Sequence, residues 1–410
     1  MGRLTKACFT AADILIPKVS DMQAWSVIAC DQFTSEPEYW SEVYKRVGDK
    51  PSSLRLILPE ALLSQKDTDS ERSKIYDTMR TYLDEGIFEK LENSYVYVER
   101  TLSSGAVRKG IVGALDLEAY DWAPGSELPV RATEDTVEDR LPPRIKIRRK
   151  ALLEMPHILI FVNDPENSLI SSIKKCKALY DFELMQNGGR VSGWQAADNC
   201  AVDAALEHLF ESASAKGEDP LFMAIGDGNH SVAAAKKYWD EIKKALSPEE
   251  RATHPARYAL AELVNIHDQA IDFKPIHRLI YGTDTKTFFD ELKARFAAAD
   301  DAKTAVKCFS GGKSIEIGFD RMTYGEIIAA CEAFCKEYAA KHGGHLDYIH
   351  GDAECIKMSQ KDGCCCLLMP QIPKEGLFET VVKSGAFPRK SFSIGNAEDK
   401  RYYLECRRIK

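Results

Sequence analysis

Hydrophobic spacing divides the chain into short strands and amphipathic helices. Phe9 to Pro17 and Trp25 to Cys30 read as short strands, followed by a helix from Glu36 to Val47 with Pro37 in its first turn. Ser70 to Gly86 places Ile75, Met79, Tyr82 and Leu83 on one helical face and ends at a glycine. Tyr95 to Leu102 and Val107 to Leu117 alternate apolar and polar residues around Ser103 to Ala106, the pattern of a hairpin. His157 to Val162 is an apolar strand, Ala201 to Ala215 a helix, and Ala256 to Asn265 an apolar strand or helix.

From about Tyr281 the character changes. Thr285 to Ala298, Thr323 to His342 and Gly376 to Ser384 read as helices. Ser314 to Phe319, Cys355 to Ser359, Cys364 to Pro370 and Arg401 to Cys406 read as strands. Lys274 to Arg278 and Phe387 to Phe392 read as basic turns. This predicts an α+β protein: a larger mixed-sheet N-terminal domain over 1–281 and a smaller C-terminal α/β domain over 282–410.

Pro220 to Trp239 is the stretch richest in chemistry. An apolar run from Leu221 to Ile225 is followed by Gly226, Asp227, Gly228, Asn229, His230 and Ser231, and then by a helix from Val232. A strand, a tight loop and a helix N-terminus in that order favour an anion, because the first amides of a helix point outward and carry its positive dipole end. The two glycines permit positive φ and close backbone approach by a ligand. The same residues also fit a polar turn with Asn229 or Ser231 as N-cap.

Composition narrows the field. The 410 residues are 44% hydrophobic and 29% charged, ordinary for a globular protein. A net charge of −8 argues against a general nucleic-acid binder. No stretch approaches the ~20 apolar residues of a membrane span. Met1 to Thr10 contains Arg3 and Lys6 but no continuous apolar run, so a secretory signal is not expected and a cytoplasmic location is. The twelve cysteines lack zinc-type C-x-x-C pairs, which fits small apolar residues kept reduced. Between Arg131 and Lys150 both signs of charge are dense, as on a solvated face or a polar phosphate site. Asp31 follows a strand end, where it suits either a functional carboxylate or a cap for the next helix.

Four blocks resemble, in order, domain-of-unknown-function family 1015. Arg131 to Thr136 with Asp139 and Arg140 resemble its R-x-H-E-x-T…D-R block, and Ala224 to Ser231 its A-D-G-H-H-R loop. Lys274 to Arg278 resemble its P-T-H-R turn, and Phe387 to Phe392 its M-P-x-K-S-T block. The loop is also similar to that of ParB/sulfiredoxin-like proteins, including free serine kinases, which implies a fold of that kind in part of the N-terminal domain. Thr133 departs from the family histidine, and Asn229 and Ser231 depart from the first histidine and the arginine of the loop. Losing that arginine removes a bidentate phosphate donor, so cations have to come from elsewhere: Arg131, Arg140, Lys274, Arg278, Arg389 or Lys390.

The resemblance and the loop chemistry together imply phosphoryl transfer from ATP or ADP with Mg²⁺ to a small hydroxylated metabolite such as serine. Gly226 and Gly228 would admit phosphates, with Asn229 and Ser231 beside them, and Asp227 would hold the metal or orient the acceptor. His230 would donate to a phosphate oxygen, Glu134 or Asp31 would serve as base, and Arg140 and Arg278 would clamp oxygens. Arg131, His277 and Lys390 complete the expected site; Glu134, His277 and Arg278 are expected to border one cleft with the loop, with Lys390 reaching over from the second domain. Two alternatives use the same residues: a metal-dependent hydrolase with Asp227, His230, Glu134 and His277 as ligands, and a non-catalytic nucleotide-binding regulatory module. A small-molecule substrate is expected as partner, without nucleic acid or membrane; a homo-oligomer is compatible with this reading.

Overall fold

In the computed structural model, residues 8–62, 68–155, 157–215, 217, 220–298 and 302–410 are described, so Arg3 and Lys6 lie outside the described residues. The chain divides into two units. The first comprises 1–132, 136–271 and 396–410, and the second 133–135 and 272–395. The predicted boundary at 281 is therefore displaced: it falls at the end of the strand Phe273–Tyr281, which belongs wholly to the second unit. The last fifteen residues return to the first unit rather than staying in a C-terminal domain. The α+β class holds.

The first unit is built on a ten-stranded mixed sheet among the described residues. Its centre runs Val96–Thr101, Val107–Asp116, Tyr258–Asn265, Leu159–Val162, Met223–Asp227 and Val130–Ala132. Leu159–Val162 pairs parallel with Tyr258–Asn265 and antiparallel with Met223–Asp227, which in turn pairs parallel with Val130–Ala132. Strand alternation sorts the side chains into two cores. Ile111, Leu115, Ala261, Leu263, Met223 and Ile225 enter one core, and Val112, Ala114 and Leu260 the other. The loop helix Asn229–Ile242 packs Val232, Ala233, Tyr238 and Trp239 into the first of these.

Two readings are corrected here. Trp25 to Cys30 is not a sheet strand: a helix covers Met22–Trp25, and the extended residues after it bridge the returning C-terminal segment at Ile28 and Tyr402. Arg401 to Cys406 is extended but joins no ladder; Tyr403 N–H donates to Val27 O, and Leu15 exchanges bonds with Cys406. The C-terminal segment is thus threaded between two N-terminal stretches. The hairpin of Lys175–Glu183 and Arg190–Ala196, absent from the expectations, is turned by Gln186, Asn187 and Gly189, all at positive φ.

The second unit has an antiparallel sheet ordered Ala297–Ala298, Lys313–Phe319, Thr304–Ser310, Cys365–Leu368, Phe273–Tyr281 and His345–His350. The helix Tyr324–His342 begins with a capping box from Thr323 and Glu326 and ends at Gly343 in the left-handed region. The expected strand Cys355 to Ser359 is instead part of the helix Asp352–Ser359, with Asp352 and Glu354 in its first turn. The expected helix Thr285 to Ala298 shortens to Phe288–Arg295. Lys274 to Arg278, expected as a turn, lies inside the strand Phe273–Tyr281.

Candidate functional site

The expected site residues divide between the units. Asp31, Arg131, Arg140 and the loop Gly226 to Ser231 belong to the first; Glu134, His277, Arg278 and Lys390 belong to the second.

In the first unit, the strand Met223–Asp227 delivers Asp227 to the start of the loop helix. The helix begins at Asn229, earlier than Val232, and its N-cap is Gly228 with φ 77° and no side-chain cap. The polar-turn reading, with Asn229 or Ser231 as cap, is therefore not what forms. At this left-handed N-cap the Gly228 N–H donates to Asp227 Oδ1 at 3.0 Å and the Ser231 N–H to Gly228 O at 2.9 Å. Asn229 is buried, and its Oδ1 has no hydrogen-bond partner. Gly226 is used differently from Gly228: an added Cβ would lie 2.4 Å from Phe161 Cε2, so its missing side chain makes room for a buried ring.

Beside this loop stand two residues that the sequence did not single out, Lys400 and His157. Lys400 Nζ lies 3.1 Å from Asp227 Oδ2. His157 is buried, with Nδ1 2.9 Å from Tyr403 Oη and Nε2 3.6 Å from Asp31 Oδ2. Burial alone would lower the His157 pKa, but the charge and hydrogen bond of Asp31 and the charge of Asp227 raise it above the ordinary imidazole value. Burial pushes the Asp31 carboxyl up, yet the charge and hydrogen bond of His157, with Gln32 and Lys400, hold it well below the usual range. Asp31 does not cap the following helix, whose N-cap is Glu36.

His230 Nε2 accepts the Val137 N–H at 3.2 Å, which ties the charged segment to the loop helix and places the neutral ring's proton on Nδ1. Arg131 is buried and donates from Nε to Leu128 O at 2.7 Å, whereas Arg140 is exposed. Most of the charged run is solvated, but Arg144 pairs with Glu60 and Arg148 with Glu154. Both arginines line a cavity of about 190 Å³ that also touches Ser231 and His157.

In the second unit the expected cations have other occupations. Arg278 is fully buried; Nη1 donates to Ile276 O and Lys390 O, and Nη2 to Glu332 Oε2 at 2.8 Å. Its guanidinium lies over the Tyr348 ring at 4.8 Å, and Lys390 Nζ over the same ring at 4.6 Å. With both terminal nitrogens engaged, Arg278 serves as a strut of the second unit rather than as an oxygen clamp. His277 accepts the Met369 N–H on Nδ1, and its Nε2 lies 2.9 Å from Asp352 Oδ1. Burial lowers its pKa against the opposing pull of Asp352. Glu134 is half-buried, and its backbone bridges that of Phe387. Asp135 is pushed above the usual carboxylate range, by burial first and then by the charge of Glu332.

Among the described residues, no group of three or more His, Cys, Asp or Glu side chains is placed to hold a metal ion. All twelve cysteines are free thiols. Among the described residues, no helix is long and apolar enough to cross a membrane.

The structure is that of an α+β chain with a strand–loop–helix turn at Gly226 to Ser231. The chain belongs to the family described as "Protein of unknown function (DUF1015)", whose model matches residues 15–362. No curated protein matches it. Among solved structures, it is similar to a free serine kinase in complex with AMP, at 12% identity and a TM-score of 0.38, over 70% of this chain and 91% of that one. A variant of a free serine kinase in complex with ADP gives 11% identity and a TM-score of 0.39, over 71% and 90%. A conserved hypothetical protein from Pyrococcus furiosus gives 12% and 0.36, over 72% and 94%.

Neither His157 nor Lys400 was legible as a site residue in the sequence. His157 opens an apolar strand, where a lone histidine is most often structural. Lys400 sits in the solvated-looking run Glu398, Asp399, Lys400, Arg401. The available signal was a titratable residue at the start of a strand adjacent to the loop strand.

Proposed function

We propose that the chain is a nucleotide-dependent phosphotransferase acting on a small hydroxylated metabolite, with the nucleotide phosphates seated at the Gly228 end of the loop helix. The observation that carries this reading is a helix start without a side-chain cap, beside the Lys400 ammonium. Backbone N–H groups of the helix start and an ammonium form a donor set suited to phosphate oxygens, and His157, whose ring nitrogens face Tyr403 and Asp31, adds positive charge when protonated. ATP or ADP would rest on these groups, and bound Mg²⁺ would neutralise charge on the phosphates. Mg²⁺ commonly takes only one or two protein carboxylates, a role that suits Asp227. Asp227 also remains the carboxylate for orienting the acceptor hydroxyl. Asp31 raises the His157 pKa.

Calorimetric titration of ADP and ATP with Mg²⁺ tests this. Removing one charge-assisted phosphate contact costs about 1.5–3 kcal/mol. Lys400→Met is therefore expected to weaken ADP binding by roughly 10- to 100-fold. Absence of nucleotide binding by the parent protein at millimolar concentration refutes the reading. Binding without ATP consumption across a panel of hydroxylated metabolites would leave the regulatory module.

A further inference from the structure

The cavity of about 190 Å³ in the first unit opens to solvent, and Ser231, in the first turn of the loop helix, is part of its lining. It therefore adjoins the helix start at which the phosphates rest in the proposed reaction. Most of the lining is apolar. Ile57 and Ile147 are half-buried there and Pro143 is exposed, while Leu58 and Met155 keep 7% and 8% of their surface. Apolar surface left facing water is stabilised when a ligand covers it.

The charged side chains of the same lining already face counter-ions. Arg144 pairs with Glu60, and Arg148 with Glu154 at 2.7 Å. His157 Nε2 lies 3.6 Å from Asp31 Oδ2. A zwitterionic amino acid would bring an ammonium and a carboxylate, and would have to break these pairs to satisfy them. A neutral molecule makes no such demand; only its hydroxyl needs a polar neighbour. Ser231, half-buried in the lining, offers a hydroxyl for it.

We propose that this cavity is the acceptor subsite, and that the acceptor is a neutral apolar alcohol rather than a serine-like amino acid. Its hydroxyl is held at the Ser231 end, and its hydrocarbon body covers the apolar walls. A cavity of roughly 150 Å³ lined by apolar side chains binds benzene, so about 190 Å³ suits an alcohol of about seven or eight heavy atoms. In the transfer, the alcohol oxygen bonds to the γ-phosphorus of ATP while the bond from that phosphorus to the ADP oxygen breaks, and the hydroxyl proton is released to solvent. The products are a phosphate monoester, ADP and a proton. This inference rests on the phosphotransferase reading and narrows its substrate.

The test uses the full chain. Benzyl alcohol, benzoate, benzylamine and serine are titrated calorimetrically, and ADP release from ATP with Mg²⁺ is followed with benzyl alcohol or serine as acceptor. Benzyl alcohol is expected to bind at least ~10-fold more tightly than each of the others, and to exceed serine in kcat/KM by at least as much. Ile147→Trp and Ile57→Trp, on separate segments, fill the cavity; each is expected to raise KM for benzyl alcohol ~10-fold while ADP affinity stays at the parent's value. Lys400→Met is expected to weaken ADP and leave benzyl alcohol binding unchanged. Serine bound or turned over as well as benzyl alcohol by a parent that binds ADP overturns this inference and leaves the phosphotransferase reading standing. So does tighter binding of benzoate or benzylamine, or an unchanged KM in whichever of the two tryptophan variants folds. A parent that binds no nucleotide overturns the phosphotransferase reading and this inference with it.

Discussion

Replacing Gly226 by alanine asks what that glycine is for. If it admits phosphates, the variant should fold normally and lose nucleotide. The geometry argues otherwise. An ideal Cβ at Gly226 would sit 2.4 Å from Phe161 Cε2 and 2.8 Å from Cδ2 and Cζ. Ordinary carbon contacts are about 3.5–4.0 Å, so the ring would have to retreat by about 1 Å. Phe161 is fully buried, and overpacking of this kind costs about 1–3 kcal/mol. At roughly 2–4 °C per kcal/mol for a domain of a few hundred residues, Gly226→Ala should melt about 2–12 °C lower. Nucleotide affinity per folded molecule should change little. The double variant Gly226→Ala/Phe161→Leu should be less destabilised than the sum of its singles, because the smaller side chain relieves the clash. Urea denaturation of the four proteins, with ADP titration of each, measures both quantities. A Gly226→Ala protein as stable as the parent but unable to bind ADP would refute the packing argument.

Two further outcomes follow from the charges around the loop. His157 is held above its ordinary pKa in the folded protein, so its contribution to stability is fully present below pH ~6.5 and is lost as pH rises through the raised value. The urea midpoint of His157→Gln should therefore vary less with pH over that window than the parent's, and ADP affinity of the parent should fall there; an imidazole titrating at or below its ordinary value by NMR removes the basis for both. Asp227→Asn removes a charge whose partner is partly solvated, so it should cost about 1 kcal/mol of stability or less while lowering turnover by orders of magnitude. A large fall in melting temperature with turnover intact would make Asp227 a structural ion-pair partner.

Local pattern carried the elements whose stability is local. The helix read over Ser70 to Gly86 forms at Thr68–Asp84, and the hairpin read around Ser103 to Ala106 pairs Val96–Thr101 with Val107–Asp116. Where distant partners decide, pattern was silent. Lys274 to Arg278 looked like a turn because of its charge, yet it forms a strand in which His277 meets Asp352 and Arg278 meets Glu332. Nothing in the strand's own residues announces partners 75 and 54 positions away. Cys355 to Ser359 failed for another reason: five residues are too few to separate a strand period from a helical one. The candidate site shows the same division. The loop was legible because strand, glycines and helix are contiguous, whereas Lys400 meets Asp227 only through the return of the chain.

That return also sets an order of assembly during synthesis. The second unit's main segment, 272–395, is made before the residues that complete the first. Until they emerge, the loop lacks Lys400, His157 lacks Tyr403, and Glu154 lacks Arg407. The first unit is completed only after the inserted segment has been made, and long-range closures of this kind are the slow part of folding. A nascent chain stopped before residue 396 would carry the whole glycine loop and none of these three contacts. The Asp227–Lys400 pair is thereby coupled to translation reaching the last segment, so chains stopped earlier cannot form it.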